Sequence, residues 1–143
     1  MVSARRGEAR TVTLARYVEF PVKGDELGWL VALESERNVL FAIKRAYYIF
    51  GTQPGVRRGK HAHRRLTQMM VCLAGQCTVL LDDGRAREEV TLARNDRGLM
   101  LDPMIWHEMV DFSPGCVLLV LADNWYDVAD YIRDYAAFKA ACV

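Results

Sequence analysis

The sequence predicts an all-β fold, a small antiparallel barrel or jelly roll with one helix at its C-terminus. Short segments rich in Val, Ile, Leu, Tyr, Phe and Thr recur along the chain, as is typical of strands. Turn-forming residues separate them, most clearly at Asp82-Asp83-Gly84, where Asp-Gly suits the positive φ of a hairpin turn. Helical periodicity is confined to the last part of the chain. Many short strands followed by a single helix are typical of a small barrel.

Length and charge restrict the classes of protein that this chain can belong to. Its 143 residues fit one domain, which we place at 11–143, and the charged segment 1–10 is predicted to be a flexible arm. Nineteen basic and 18 acidic residues give a net charge of +1, which argues against a nucleic-acid partner. No apolar stretch approaches the ~20 residues of a membrane span, so we expect no membrane partner. The N-terminus lacks the apolar core of a secretory signal, which predicts a cytoplasmic protein.

The predicted strands follow one another at short intervals between turn residues. Their side chains alternate or form short apolar runs, and each run is bounded by Gly, Pro, Asn, Asp or Ser. The strands are predicted at 11–20, 29–34, 41–50, 60–63, 68–73, 77–81, 88–92, 98–101 and 117–122.

The C-terminal segment has the spacing of an amphipathic helix. Its apolar residues fall at i, i+3, i+4, i+7 and i+10, so a helix would place them on one face. These residues are Val128, Tyr131, Ile132, Tyr135 and Phe138. Asp127 precedes them and is a suitable N-terminal cap. We therefore predict a helix from about residue 128, with its tyrosines used for packing.

Two of the three histidines lie two residues apart, as His61-Ala62-His63. On a strand, residues at this spacing project from the same face, so both imidazoles would enter one space. Gln68 and Gly75 follow, and His107 comes four residues after Pro103. This order resembles the two sequence motifs of the cupin barrel, and it predicts a functional cavity.

In many cupins these positions bind a metal, and the corresponding set here is His61, His63, Gln68 and His107. The set lacks the carboxylate that many such cupins have where this chain has Gln68. A neutral amide is a weak ligand for a divalent ion, and it supplies no compensating negative charge. The sequence therefore favours a site without metal.

Basic and aromatic residues flank the histidine pair. Arg58 lies three residues before His61, and Arg45 alternates with Ile43 and Tyr47, which are expected to turn inward. A charge is rarely buried without a partner, and guanidinium matches phosphate oxygens, so both arginines are candidate anion ligands. Tyr47 and Trp106 are candidate walls of a sugar or nucleobase pocket. We expect the neighbouring Arg64 and Arg65 to lie in a solvated turn. For Tyr48 and Phe50 we expect plain core packing.

Six tracts together resemble one enzyme family, and the similarity runs from about Thr11 to Phe138. The tracts are Phe41–Phe50, Arg58–His63, Leu81–Gly84, Trp106–Met109, Asp111–Ser113 and Asp130–Arg133. They are similar to the cupin-type dTDP-4-keto-6-deoxyglucose 3,4-ketoisomerases. The chain differs at Leu27 in Asp25-Glu26-Leu27-Gly28, where family members commonly have an arginine that faces the sugar. This difference leaves the C4 configuration of the product open.

The resemblance implies a reaction, a site and an assembly. A carbonyl would move from C4 to C3 of a dTDP-linked 6-deoxyhexose through an enediol, with His61 and His63 as acid/base groups and no cofactor or metal. The expected substrate-binding residues are Arg45, Tyr47, Arg58, Gln68, Trp106 and His107. The expected assembly is a homodimer with exchanged N-terminal strands. The alternatives are a sugar-nucleotide 3,5-epimerase, a metal-dependent cupin enzyme and a non-catalytic sugar-nucleotide-binding cupin.

Overall fold

The computed structural model describes residues 14–142 of the chain. Twelve strands and one α-helix are present in this part, together with a single 3₁₀ turn at Val128–Asp130. The strands are β1 (Arg16–Glu19), β2 (Lys23–Asp25), β3 (Gly28–Leu30), β4 (Arg45–Ile49), β5 (Arg58–His63), β6 (Gln68–Ala74), β7 (Cys77–Asp82), β8 (Arg87–Leu92), β9 (Arg97–Leu101), β10 (Trp106–Val110), β11 (Val117–Ala122) and β12 (Tyr131–Ile132). The helix, α1, spans Tyr135–Ala141. The predicted arm 1–10 lies outside the described residues.

Two five-stranded antiparallel sheets form the barrel. Their strand orders are β1-β9-β6-β11-β4 and β12-β5-β10-β7-β8, and β2 and β3 form a separate hairpin. Consecutive strands mostly lie in opposite sheets, as in a jelly roll. The prediction of an all-β cupin barrel with one C-terminal helix is confirmed.

The interior of the barrel is apolar at one end and polar at the other. On β6, Cys72 and Met70 belong to the apolar cluster between the sheets, and the next inward residue along that face is Gln68. Cys77 and Cys116 complete the apolar end as buried free thiols. Because alternate residues of a strand share a face, the inward face of the sheet includes both the packed core and the polar end of the barrel.

Two smaller clusters cover the outer faces of the sheets. Beside the first sheet, the segment 31–43 supplies Val39 and Phe41, which pack with Met69 and Val71 of β6. Asn38 holds this segment in place: its Nδ2 atom donates to the carbonyl oxygen of Ala32 at 2.7 Å. The predicted strand 29–34 consequently ends at Leu30, because the following residues form a packed loop.

The C-terminal prediction was partly wrong. Only Tyr135–Ala141 form an α-helix, which begins where the Asp134 side chain accepts from the backbone N–H of Ala137. Asp127 is a cap, as predicted, but it caps the 3₁₀ turn. Between the two, Tyr131 and Ile132 pair with β5. Tertiary structure overrides the helical spacing here, because β5 at the edge of the second sheet supplies hydrogen-bond partners for the backbone of this segment.

Strand β10 was missed in the sequence because both of its faces are buried. Trp106 lies under α1 with Phe138, while His107 faces the barrel interior. A strand that is covered on both sides lacks the alternation of apolar and polar residues on which sequence detection depends. Within residues 14–142, no helix is long enough to cross a membrane.

Candidate active site

Three imidazole rings meet at the polar end of the barrel. The centroid of the His61 ring is 4.9 Å from that of His63 and 4.6 Å from that of His107. The alternation of β5 puts His61 and His63 on one face, and antiparallel pairing sets His107 of β10 opposite His61. All three histidines of the chain thus lie in one cluster, as the spacing of the motifs predicts.

A bulge in β5 orients the first histidine. Gly59 and Lys60 both have positive φ, of 83° and 60°, and the register with β10 shifts at this point. The turn brings the carbonyl oxygen of Gly59 to 3.1 Å from Nδ1 of His61. Nδ1 of His107 is likewise 3.1 Å from the carbonyl oxygen of Ile105. Since a carbonyl can only accept, each Nδ1 carries the proton, and each Nε2 keeps its lone pair.

The surroundings keep these imidazoles neutral. Burial lowers the pKa of His61, and burial together with the charges of His61, Arg45 and Arg133 lowers the pKa of His63 to about 3. Burial, followed by the interactions with His61 and His63, lowers the pKa of His107 to about 3. Neutral imidazoles with unprotonated Nε2 atoms are proton acceptors at neutral pH.

Gln68 and Tyr47 form a polar pair beside the histidines. Nε2 of Gln68 donates to the Tyr47 hydroxyl oxygen at 3.1 Å, and Oε1 of Gln68 is buried without a hydrogen-bond partner in the described structure. Burial raises the pKa of Tyr47, so its hydroxyl stays protonated. The pair therefore offers one hydroxyl donor and one amide acceptor to a polar ligand.

Arg45 and Arg58 bring positive charge to the same region. The Nε atom of Arg45 is buried and has no hydrogen-bond partner among residues 14–142. Its guanidinium carbon lies 5.1 Å from the ring centroid of Tyr47. Arg58 is exposed at the start of β5, and its charge also acts on the pKa of Tyr47. An incompletely paired cation beside a polar pocket fits an anionic ligand.

One segment of this site, around Tyr131 and Arg133, was not predicted from the sequence. The Tyr131 ring lies 4.4 Å from that of His63 and 4.8 Å from that of His61, while Arg133 stacks on it with its guanidinium carbon 4.2 Å from the centroid. The prediction that Tyr131 lies on the packing face of a helix is wrong, because Tyr131 pairs with His63 of β5. The signal that could have identified it is the tract Asp130–Arg133, which belongs to the family resemblance but not to either cupin motif.

Two residues singled out in the sequence lie elsewhere. Trp106 occupies the outer face of β10, where its ring packs 5.3 Å from Tyr135 and 5.6 Å from Phe138. It therefore stands behind the sheet that carries the histidines, and the structure does not place it with the other proposed substrate-binding residues. Leu27 is 96% exposed in the turn between β2 and β3.

The three histidines also form a possible set of metal ligands. Their candidate ligand atoms lie within 4.8 Å of one another, a spacing that one divalent ion can bridge. In the described structure no carboxylate joins this set, and Gln68 donates its amide to Tyr47. Three imidazole nitrogens can hold a transition metal such as zinc, so the residues present fit a metal although the set itself contains no carboxylate.

Comparison with known proteins identifies relatives over most of the chain. Residues 13–142 match the family described as FdtA: WxcM-like, C-terminal. A TDP-4-oxo-6-deoxy-alpha-D-glucose-3,4-oxoisomerase from Aneurinibacillus thermoaerophilus is 52% identical over 115 residues, which cover 80% of this chain and 83% of the relative.

Solved structures agree with this assignment. The sugar 3,4-ketoisomerase QdtA from Thermoanaerobacterium thermosaccharolyticum, in complex with TDP, matches with a TM-score of 0.88 at 36% identity over 90% of this chain and 93% of that one. An asparagine variant of one QdtA histidine was crystallised with TDP-4-keto-6-deoxyglucose. The WlaRB TDP-quinovose 3,4-ketoisomerase from Campylobacter jejuni matches with a TM-score of 0.85 at 42% identity over 90% of this chain and 99% of that one.

Proposed function

Because this chain belongs to the FdtA (WxcM-like, C-terminal) family and is a sugar-nucleotide 3,4-ketoisomerase by its relatives, we propose that His61 and His63 carry its proton transfers. The substrate is dTDP-4-keto-6-deoxyglucose, and the product is a dTDP-3-keto-6-deoxyhexose for deoxy- and amino-sugar synthesis. The observation that carries the mechanism is the pair of rings 4.9 Å apart on one strand face.

The reaction needs two proton transfers at adjacent carbons and no net oxidation. A neutral imidazole takes the proton from C3, whose C–H electrons form a C3–C4 double bond while the C4 oxygen gains a proton. The resulting enediol loses the proton of the C3 hydroxyl, and C4 receives a proton from an imidazolium. C3 is thereby oxidised and C4 reduced within one molecule. His61 and His63 suit these steps because imidazole accepts and donates protons near neutral pH.

The remaining polar residues would bind the substrate. We assign the diphosphate to Arg45 and Arg58, because the Nε atom of Arg45 is buried without a hydrogen-bond partner in the described structure and Arg58 is exposed at the start of β5. Gln68 would contact the sugar through Oε1, which has no hydrogen-bond partner in the described structure, Tyr47 through its hydroxyl, and His107 through Nε2, since its Nδ1 faces the carbonyl oxygen of Ile105. Binding of this kind converts remote contacts into orientation at the reacting carbons.

An NMR experiment in D₂O separates this function from its rivals. The protein is incubated with dTDP-4-keto-6-deoxyglucose, and the carbonyl position and the sites of deuterium are followed. A ketoisomerase moves the carbonyl to C3 and introduces deuterium at C4. A 3,5-epimerase would leave the carbonyl at C4 and exchange C3 and C5, and a binding protein would retain dTDP without any change in the sugar. Either of the last two results would overturn the proposal.

Metal dependence is the alternative with a structural basis, because three histidine ligand atoms lie within 4.8 Å. We propose that turnover needs neither metal nor organic cofactor. Activity after chelator treatment, together with elemental analysis, tests this statement. Loss of turnover on chelation and its recovery with added metal would reassign His61, His63 and His107 as ligands.

For the assembly, we propose a homodimer with exchanged N-terminal strands in the cytoplasm. Support comes from β4, an edge strand of the first sheet: its outward residue Tyr48 is 63% exposed, and Phe50 directly after the strand is 68% exposed. Of the predicted strand 11–20, residues Arg16–Glu19 pair with β9 of the same chain, so the exchange would involve other N-terminal residues. Sedimentation should give twice the chain mass of 16.3 kDa, and a stable monomer at micromolar concentration would contradict the dimer.

A further inference from the structure

Asp130 is a buried carboxylate that lies against His63 and has no part in the chemistry described above. Its Oδ2 atom is 3.4 Å from Nδ1 of His63, and only 10% of its side chain is exposed. Among residues 14–142, no other carboxylate lies within 4.0 Å of a histidine nitrogen. A buried carboxylate this close to a proposed catalytic base can act on that base, because charges interact strongly where water is excluded.

The position of this carboxylate is fixed by the backbone around it. The N–H of Arg65 donates to Oδ1 at 2.9 Å, and the N–H of Leu66 donates to Oδ2 at 3.1 Å. The N–H of Arg64 donates to the Asp130 carbonyl oxygen at 2.9 Å. Directly after Asp130, Tyr131 pairs in register with His63. The acid and the imidazole are therefore held side by side by the same strand pair.

His63 differs from the other two histidines in its hydrogen bonding. The Nδ1 atoms of His61 and His107 each lie 3.1 Å from the carbonyl oxygen of the residue two positions earlier in the chain. Both nitrogens of His63 are buried and have no hydrogen-bond partner in the described structure. The Asp130 Oδ2 atom lies 3.4 Å from Nδ1 of His63, and catalytic hydrogen bonds that are long in a ligand-free enzyme shorten in the substrate complex.

The charges around His63 supply a reason for such a bond. Burial, and after it the charges of His61, Arg45 of β4 and Arg133 after β12, oppose a proton on His63 and lower its pKa to about 3. The imidazolium form of His63, which a proton transfer creates, therefore needs a group that stabilises it. A carboxylate at Nδ1 offsets these charges when Nε2 takes up a proton.

We propose that Asp130 is a positioning residue for His63: it accepts a hydrogen bond from Nδ1–H, leaves the lone pair on Nε2, and stabilises the imidazolium formed during proton transfer. The inference rests on the proposed function for its kinetic consequence. The tautomer of His63 follows from Asp130 alone, whatever the substrate.

Two measurements test the proposal. Asp130→Asn keeps the size of the side chain and an acceptor for the backbone, and the same change at Asp134, which caps α1 without contacting a histidine, is the matched control. We expect Asp130→Asn to lower kcat by about 10- to 100-fold, the effect of removing an orienting acceptor from a histidine, with KM and dTDP affinity unchanged. Asp134→Asn should retain kcat.

The second measurement is the ¹⁵N NMR spectrum of the histidines in the wild-type protein, with His63→Asn to assign the signals. We expect His63 to carry its proton on Nδ1 and to lose this preference in Asp130→Asn. Wild-type kcat in Asp130→Asn, or a wild-type His63 protonated on Nε2, overturns the proposal. If Asp130→Asn does not fold, the wild-type spectrum decides. If the protein does not isomerise the sugar, the proposed function fails while the spectrum still tests the contact.

Discussion

The carbonyl oxygen of Gly59 accepts from Nδ1 of His61, two residues later on the same strand, at 3.1 Å. The contact depends on the positive φ of Gly59 and Lys60, which bulges β5 against β10. The same glycine packs so closely that a Cβ atom would lie 2.9 Å from the carbonyl oxygen of His107. One backbone position thus sets the tautomer of His61 and the approach of His107.

Replacing this glycine should damage both stability and activity. Gly59→Ala places a side chain at φ of +83° and against the backbone of β10, so we expect a loss of about 1–3 kcal/mol in the free energy of unfolding, together with reduced kcat. Gly55→Ala is the control, because Gly55 has φ of +78° and open space around it. Denaturant unfolding and turnover should separate the two. Equal effects in both variants would show that the close approach of β5 and β10 is unimportant.

The two histidines of β5 should be needed for turnover but not for nucleotide binding. His61→Asn and His63→Asn each remove an acid/base group, which typically contributes ~10²–10⁴-fold to the rate. We expect turnover to fall by that factor while dTDP affinity, measured by calorimetry, stays at the wild-type value. Full activity in either variant would remove that residue from the mechanism.

The arginines should show the opposite pattern. A charge-assisted hydrogen bond contributes ~1.5–3 kcal/mol, so Arg45→Ala and Arg58→Ala should each weaken dTDP binding by about 10- to 150-fold. Arg94→Ala is a control, because Arg94 is bound to the neighbouring Asp96 at 2.9 Å. Unchanged affinity in both test variants would place the diphosphate elsewhere.

The buried imidazoles predict a loss of stability in acid. Burial lowers the pKa values of His63 and His107 to about 3, whereas both have ordinary values near 6.5 in the unfolded chain. Between these limits the unfolded state binds more protons, so the free energy of unfolding falls as the pH decreases from 6.5 towards 3. Each histidine contributes at most ~1.4 kcal/mol per pH unit, and nothing further is gained above the unfolded pKa.

Denaturant unfolding at neutral pH and at about pH 5.5 measures this effect. His107→Gln should reduce the pH dependence, because glutamine does not titrate. A wild-type stability that stays constant over this interval would show that the folded protein accommodates the charged imidazoles. In the folded enzyme kcat/KM should decrease only when the pH falls below the ordinary histidine pKa, because His61 and His63 become protonated only at lower pH.

The local pattern of the sequence was enough for the class of fold and for part of the site. Alternation placed His61 and His63 on one strand face and Arg45 and Tyr47 on another, because strand geometry fixes these directions whatever the sheet packs against. The Asp-Gly turn between β7 and β8 follows from the same local rules, with Gly84 at φ of +93°. The spacing of Pro103 and His107 pointed to the cupin motif without indicating which face of the strand His107 occupies.

Only the tertiary structure decided the role of the segment around Asp130 and the side of the sheet on which Trp106 lies. Residues 128–138 have helical spacing, yet Tyr131 and Ile132 pair with β5 as an edge strand. The backbone hydrogen bonds to β5 outweigh a weak helical preference. That pairing turns Tyr131 towards the histidines and sets Asp130 beside His63. Trp106 lies on the outer face of β10 because α1 packs over it. Periodicity describes one element at a time, whereas these positions depend on which elements meet.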